Sequence, residues 1–419
     1  MKKMLSLTEK KHAASDAVRF AFCAPRRAAM VLLIGAAYSC TAHAEISDTI
    51  HPFIQTTFAY DDNLLRLSEF PGQIPDLGDT SRTVQGGFLF ERPVGRQLFT
   101  GYAKLSHVSF NRFTELNYNG KDALVDWAWQ LGNRWQGHLG TSYLETLAPF
   151  TDTNSDQRNL RTQRRSYADA TWLFHPSWQV RAGFSRFTAD YELPAQQINN
   201  RTENATELGL DYLAASGSKV GIQLRQLKSD YQFKGNPLFG LPDNDYTQDE
   251  IKANVLWLVS GPTKLSFLGG WVRRTHPQSV SGTSSSGANG RLIADWIATG
   301  KLRFNANLWR EFQVVEGGIV GSSLNKGASL AAFWSATAKV GLNAQLRHEK
   351  RDFSTINGFT ALSGLSDSTT GSSLGLTYTP VNNIQLELDA FRDRRSGNPI
   401  VGSNTYRAKG VSFSANVQF

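Results

Sequence analysis

The sequence has 419 residues, 40% of them apolar, and a formal net charge of +8. Its first 44 residues carry 7 basic and 2 acidic side chains, which leaves 37 basic and 34 acidic over the remaining 375, a net charge near +3. That balance excludes a strongly basic nucleic-acid-binding surface, and because both cysteines, Cys23 and Cys40, fall in the first stretch, the rest holds no disulfide and no thiolate metal site.

Taken from its start, the chain runs through Lys2, Lys3, Lys10, Lys11, Arg19, Arg26 and Arg27, then the apolar run Ala28–Ala37, then Ala42-His43-Ala44. A basic region, a short apolar core and an A-x-A site at Ala42 and Ala44 read as a secretory signal peptide over 1–44, cleaved before Glu45. The apolar run is too short to span a bilayer. A lipidated Cys40 is the alternative, but Tyr38-Ser39 suits that processing poorly. Residues 45–419 contain no apolar run of helix-spanning length and are expected to form one domain.

Segments of period-two alternation then recur along the chain. Ala123, Val125, Trp127, Trp129 and Leu131 share one face, with Asp122, Asp126 and Gln130 on the other. Trp178, Val180, Ala182 and Phe184 oppose Gln179, Arg181 and Ser185. Ile251, Ala253, Val255 and Trp257 oppose Lys252 and Asn254; Leu302, Phe304, Ala306 and Leu308 oppose Arg303, Asn305 and Asn307. Ala338 to Leu346 and Ile384 to Ala390 repeat the pattern. A soluble sandwich alternates too, so the connections decide. Short ones, such as Gly132-Asn133, His175-Pro176-Ser177 and Thr299-Gly300, take turns with long polar ones over roughly 62–79, 111–119, 148–160, 191–203, 229–246, 275–290, 311–326, 350–368 and 393–404. Eight short and nine long connections predict an all-β fold: a single transmembrane antiparallel up-and-down β-barrel of about 18 strands (16–18), both termini periplasmic, in the cell outer membrane.

Tryptophan supports this independently. Trp129, Trp135, Trp172, Trp178, Trp257, Trp296 and Trp334 all lie beside short turns on the apolar face. Seven of the ten tryptophans at one end of the strands predict a membrane-interface girdle. The last segment alternates Val411, Phe413, Ala415, Val417 and Phe419 with polar residues. A closing strand of this kind resembles the signal by which the barrel-assembly machinery recognises its substrates, and it must stay open until it pairs with the first strand.

Catalytic and metal motifs are absent from the sequence. There is no P-loop and no His-Glu-x-x-His, and the six histidines beyond residue 44 show no metal-pair spacing. No cofactor and no metal are expected. A hydrolase would need a triad, and His107, His138 and His348 read as polar lumen residues. The inward face gathers Arg134, Arg181, Arg225, Lys252, Arg274, Arg303, Lys339 and Arg347 with Asp122, Asp126, Asp169, Glu207, Asp211, Asp295, Glu387 and Asp389. Of these, Arg134, Arg181, Arg225, Arg303, Arg347, Asp126 and Asp389 are the candidate contacts for a polar polymer; paired charges on a wet wall are the plainer account. Asp61-Asp62-Asn63 suits turn capping better than Ca²⁺, since adjacent side chains seldom converge on one ion. No loop stands out as folding into the pore, although Gln278–Gly290 is long and rich in Gly and Ser.

Tyr60-Asp61-Asp62-Asn63-Leu64-Leu65-Arg66-Leu67, then Gly86-Gly87-Phe88-Leu89-Phe90, Gln97-Leu98-Phe99 and Asp126-Trp127-Ala128-Trp129-Gln130-Leu131-Gly132-Asn133-Arg134-Trp135-Gln136-Gly137 resemble the EpsL family of outer-membrane proteins of exopolysaccharide operons, often associated with exosortase systems. The resemblance implies export of a polysaccharide across the outer membrane, beside a periplasmic export lipoprotein and an inner-membrane polymerase and flippase. It brings no catalytic residue. The reading is therefore a non-enzymatic translocation pore, whose partners are the lipid bilayer, the assembly machinery, the polysaccharide and that lipoprotein. A general or sugar-specific porin and an outer-membrane hydrolase are the alternatives.

Overall fold

A computed structural model describes residues 49–68, 77–151, 154–234, 244–276, 284–316, 322–354 and 364–419. The expected leader, with Ala42 and Ala44, lies outside the described residues. Strands β1 (Ile50–Asp61), β2 (Asp79–Val94), β3 (Gln97–Phe110), β4 (Tyr118–Leu131), β5 (Trp135–Leu147) and β6 (Leu160–His175) form the first third. Then come β7 (Trp178–Tyr191), β8 (Arg201–Leu213), β9 (Lys219–Tyr231), β10 (Tyr246–Ser260), β11 (Thr263–Thr275) and β12 (Ser284–Ile297). The last are β13 (Leu302–Val314), β14 (Ser322–Ser335), β15 (Val340–Ser354), β16 (Ser366–Val381), β17 (Ile384–Ser396) and β18 (Tyr406–Gln418).

Each strand pairs antiparallel with the next, and β1 pairs with β18 from Phe53↔Gln418 to Asp61↔Gly410. The 18-stranded sheet thus closes on itself, which removes both edges and satisfies the backbone inside a bilayer. Gly132 takes φ +60 in the turn between β4 and β5, a conformation that glycine adopts without penalty.

The alternation sorts the wall. Leu105, Val125, Leu139, Phe184, Leu208, Ile222, Leu308, Leu346 and Leu374 are exposed on the outside, each at half or more of its possible area. Such a belt is stable only against lipid, so the barrel is a membrane barrel of outer-membrane type. Trp135, Trp172, Trp178, Trp257, Trp296 and Trp334 are exposed on the same face at the short-turn end, and Trp129 is half-buried there. Trp135 and Trp172 pair across β5 and β6 and stack with centroids 5.3 Å apart.

Several expected loops are shorter than the sequence indicated. Ser284–Gly290 belongs to β12, so the loop expected over Gln278–Gly290 ends early; residues 278–283 lie outside the described residues. Likewise β13 runs to Val314 and β15 to Ser354. The outer ends of these strands rise past the lipid, where outward positions turn polar and alternation fades.

Candidate functional site

The inward face carries a lattice of ion pairs. Arg181 meets Asp211 at 2.6 Å, Arg225 meets Glu250 at 2.9 Å, Arg303 meets Asp295 at 3.0 Å and Arg347 meets Glu349 at 3.0 Å. Lys252 shares Glu250 at 2.6 Å, and Arg291 holds Glu311 at 2.6 Å. Asp126 accepts from the Tyr167 hydroxyl at 2.5 Å and bonds His138 Nδ1 at 3.2 Å. All these partners come from the same or nearby strands. Four of the five arginines expected as polymer contacts are therefore matched by carboxylates, as the plainer account of a paired wet wall requires.

Glycines make room for this lattice. A Cβ at Gly209 would meet Arg181 Nη2 at 2.8 Å, and one at Gly221 would meet Asp211 Oδ1 at 2.2 Å. The Arg181–Asp211 pair thus lies flat along the wall between two strands that lack side chains at those positions.

Three expectations are corrected. Arg134 is not on a strand; it closes the turn between β4 and β5 and is exposed there, because β5 begins only at Trp135. Lys339 likewise sits at a short turn, where its Nζ donates to the Pro380 carbonyl at 2.8 Å. His107 and His348 face outward at the long-loop end and bond Asn119 and Thr370, at 2.8 and 2.9 Å; each shares the parity of the exposed leucines Leu105 and Leu346. Asp389 does face the lumen, beside Glu387 on β17, and among the described residues neither forms an ion pair. Arg165 on β6 faces inward over the Tyr167 ring at 6.0 Å, also without an ion pair among the described residues.

The long-loop end holds what the sequence did not indicate. The loop after β13 carries Glu316, which accepts from Arg161 of β6 at 3.1 Å and from Arg201 of β8 at 3.3 Å. Four strands stand between β8 and β13 in the wall, so this contact is a chord across the mouth. Arg201 is 4% exposed and also holds Glu203 at 2.8 Å. Ala205, Leu227, Tyr231 and Tyr246 form a buried cluster at this end, with Tyr231 opposite Arg201 in register and Val314 packed against the cluster. Arg274 lies over the Tyr246 ring at 4.2 Å.

A second chord comes from the loop between β5 and β6. Arg395 of β17 donates to its Thr151 carbonyl, with β18 and β1 to β4 between the two along the wall. Arg395 is anchored to Asp367 at 2.5 Å, and Arg351 joins the same carboxylate at 2.8 Å. Asn154 of the same loop donates to the carbonyls of Leu65 and Arg66 at 2.8 and 3.0 Å. Leu65, Val108, Phe110 and Leu116 form a buried cluster under this loop, with Phe150 against it.

Asp61, Asp62 and Asn63 cap the first long loop. Asp61 accepts from the Asn63 amide at 3.0 Å, Asn63 binds Leu67 in both directions at 2.8 and 3.0 Å, and Asp62 accepts from the Lys409 amide at 2.7 Å. Arg66, at φ 56, pairs with Asp61 at 2.7 Å. Burial opposes its charge, but hydrogen bonding to Asp61 and the Asp61 charge raise its pKa on balance. Among the described residues, no group of three or more His, Cys, Asp or Glu is placed to hold a metal ion. His138 is bonded to Asp126 rather than to a serine hydroxyl.

The chords explain what the sequence missed. Glu316 carries no local mark; its partners lie 155 and 115 positions away. Arg161 and Arg201 have inward parity at strand ends, but nothing nearby in the chain says what meets them.

No family model and no curated protein matches the sequence. Among solved structures, OccAB3 of Acinetobacter baumannii is similar at 10% identity and TM-score 0.48, over 89% of this chain and 100% of that one. The outer membrane protein opdK of Pseudomonas aeruginosa is similar at 12% identity and TM-score 0.47, over 89% and 99%. The FrpB iron transporter of Neisseria meningitidis is similar at 9% identity and TM-score 0.49, over 88% and 81%. Likenesses this remote assign neither family nor solute.

Proposed function

We propose that this chain is an outer-membrane channel for small polar solutes, non-enzymatic, with its long loops outside the cell and its short turns in the periplasm. The observation that carries the reading is the pair of chords at the loop end. A barrel of this strand number leaves an aqueous lumen unless something folds in. Here Glu316 and the Thr151 loop both reach across the mouth and are held by arginines buried in the wall. A narrowed, polar, charge-balanced mouth suits sieving of small hydrophilic solutes better than passage of a polymer chain.

Exopolysaccharide export is the second reading. It is favoured by the resemblance of Tyr60–Leu67 and of the Asp126–Gly137 hairpin to the EpsL family, and it would add a polysaccharide and a periplasmic export lipoprotein as partners. In either case β18, with Val411, Phe413, Ala415, Val417 and Phe419, would be the segment that the assembly machinery engages before closure.

Reconstituted channels separate the readings. Liposomes carrying the purified chain should swell in mono- and disaccharides, and planar bilayers should show discrete ion conductance. Absence of any conductance or swelling would refute the small-solute channel. Deletion of the gene should slow uptake of small polar solutes and leave surface polysaccharide intact; the opposite result establishes export instead.

A further inference from the structure

The outer wall at the long-loop end of β17 and β18 is strongly cationic. Register places Arg392 opposite Lys409 and Arg394 opposite Arg407. Alternation puts all four on the lipid-facing side. Directly below them on that face are Ala390↔Val411 and Leu388↔Phe413, and Leu388, Val411 and Phe413 are exposed. The alternate positions Arg395, Tyr406 and Ala408 are buried inside. All four cations are exposed, and among the described residues none forms an ion pair.

Like charges directly opposite each other destabilise a sheet pair, and here two such pairs adjoin. The one acidic neighbour in register on that face is Asp62, next to Lys409, and among the described residues it forms no ion pair with any of the four. β16 offers Thr370 to Arg394 and Ser372 to Arg392. Asp62 spends one oxygen on the Lys409 main-chain amide at 2.7 Å. At two other places on the outer wall basic residues are matched: Lys121 holds Glu145 at 2.8 Å, and Lys326 and Lys350, themselves cross-strand neighbours, share Asp352 at 2.7 and 3.4 Å.

Height identifies the ligand. β17 leaves the short-turn end at Ile384, and Arg392 follows eight positions on, about 20 Å higher for a tilted strand. The apolar band of such barrels is about 25 Å tall. The four cations therefore lie at the headgroup level of the leaflet on the long-loop side, with greasy wall immediately beneath. Along a strand they are about 7 Å apart and across it about 5 Å, a spacing that lets guanidinium groups grip phosphate oxygens in pairs.

We infer that Arg392, Arg394, Arg407 and Lys409 form a docking site for a phosphorylated saccharolipid of the outer leaflet, a lipid of lipid A chemistry. Its phosphates neutralise the opposed cations while its acyl chains lie along Leu388, Ala390, Val411 and Phe413. The inference rests on the long loops facing outward; it does not depend on what the lumen conducts.

The test uses the full chain in phosphatidylcholine nanodiscs, with bis-phosphorylated lipid A as probe and native mass spectrometry as readout. Wild type should retain lipid A at least tenfold better than the R392S/R394S/R407S/K409S variant. Conversion of Arg392, Arg394 and Arg407 to lysine, which keeps the charge, should retain most of the binding. Lys121→Ser on another part of the wall should change nothing. Dephosphorylated lipid A should bind wild type as weakly as lipid A binds the serine variant. The inference is overturned if the serine variant, folded by circular dichroism, retains lipid A as wild type does. Equal retention of the dephosphorylated form, or full displacement by equimolar phosphatidylglycerol, overturns it too. Because removal of opposed like charges relieves the sheet, the serine variant is expected to fold; should it not, loss of wild-type lipid A binding between low salt and 1 M salt remains a direct readout, and salt-independent binding overturns the site.

Discussion

At the short-turn end, Trp135, Trp172, Trp257, Trp296 and Trp334 face lipid, while Arg181 and Arg303 face the lumen. At the long-loop end, Arg392, Arg394, Arg407 and Lys409 face outward, while Tyr191, Tyr231, Tyr246, Trp309, Phe353 and Tyr406 are buried within. Among the described residues, every fully buried apolar side chain lies in the loops or in the strand halves nearest them. The inversion teaches where this barrel keeps its rigidity. Its lower half is a solvated tube held by the backbone ladder and wall ion pairs. Its upper half has a packed core, because the loops fold in and supply the second layer that a single sheet lacks. Aromatic rings suit a headgroup boundary outside and a dry plug inside; arginines suit a wet lumen below and a phosphate-rich leaflet above.

That contrast can be broken most sharply at Glu316. Changing it to Ala leaves Arg161 and Arg201 facing each other without their shared carboxylate, and should cost roughly 3–5 kcal/mol in guanidinium unfolding from detergent, as for a broken buried ion pair. Single-channel conductance should rise as the loop swings free. Unchanged conductance together with unchanged stability would mean that the chord does not narrow the mouth.

Asp367→Ala strips Arg395 and Arg351 of one carboxylate. A loss of about 2–4 kcal/mol is expected, smaller because Arg395 keeps the Thr151 carbonyl. Protease cleavage near Thr151 should accelerate in parallel; an unaltered cleavage rate would deny that this loop is latched from β17.

In the tube half the effects should be milder. Arg181→Ser exposes Asp211, which retains Gln179 at 2.9 Å, and about 1–3 kcal/mol should be lost. Adding Asp211→Asn should return part of it, and a double-mutant cycle reads the coupling. Additive losses would show that the pair is decoration on a wet wall.

Trp135→Ala removes the stack on Trp172, worth about 1 kcal/mol beyond lipid contact, and should leave conductance alone. The smallest effect on stability belongs to Glu387→Gln with Asp389→Asn. Among the described residues these carboxylates form no ion pair, so folding should hold, while the reversal potential in a salt gradient moves toward anions. A reversal potential that stays put would place them away from the ion path.

Strand number, strand faces and the tryptophan belt were legible because each depends on residues within one or two turns of chain. Val125 and Asp126 differ by one position and face opposite solvents; Gly132 must adopt positive φ where it stands. The lumen was legible by parity, which puts Arg181, Arg225, Arg303, Arg347, Asp126 and Asp389 on the inward face but does not apply to Arg134 and Lys339, which lie in turns. His107 and His348, expected in the lumen as polar residues, have the parity of the exposed Leu105 and Leu346 and face outward.

What remained hidden was everything that crosses the ring. A loop glutamate at position 316 reads as one more polar residue among many; only closure of the sheet brings β13 opposite β6 and β8 and turns it into a clamp. The opposed cations of β17 and β18 likewise exist only once register is fixed. Sequence determined the local dihedral and polarity choices, since those are settled by neighbours along the chain. Tertiary structure alone decided which distant charges meet, because Coulomb and packing forces act through a geometry that exists only after the barrel has closed.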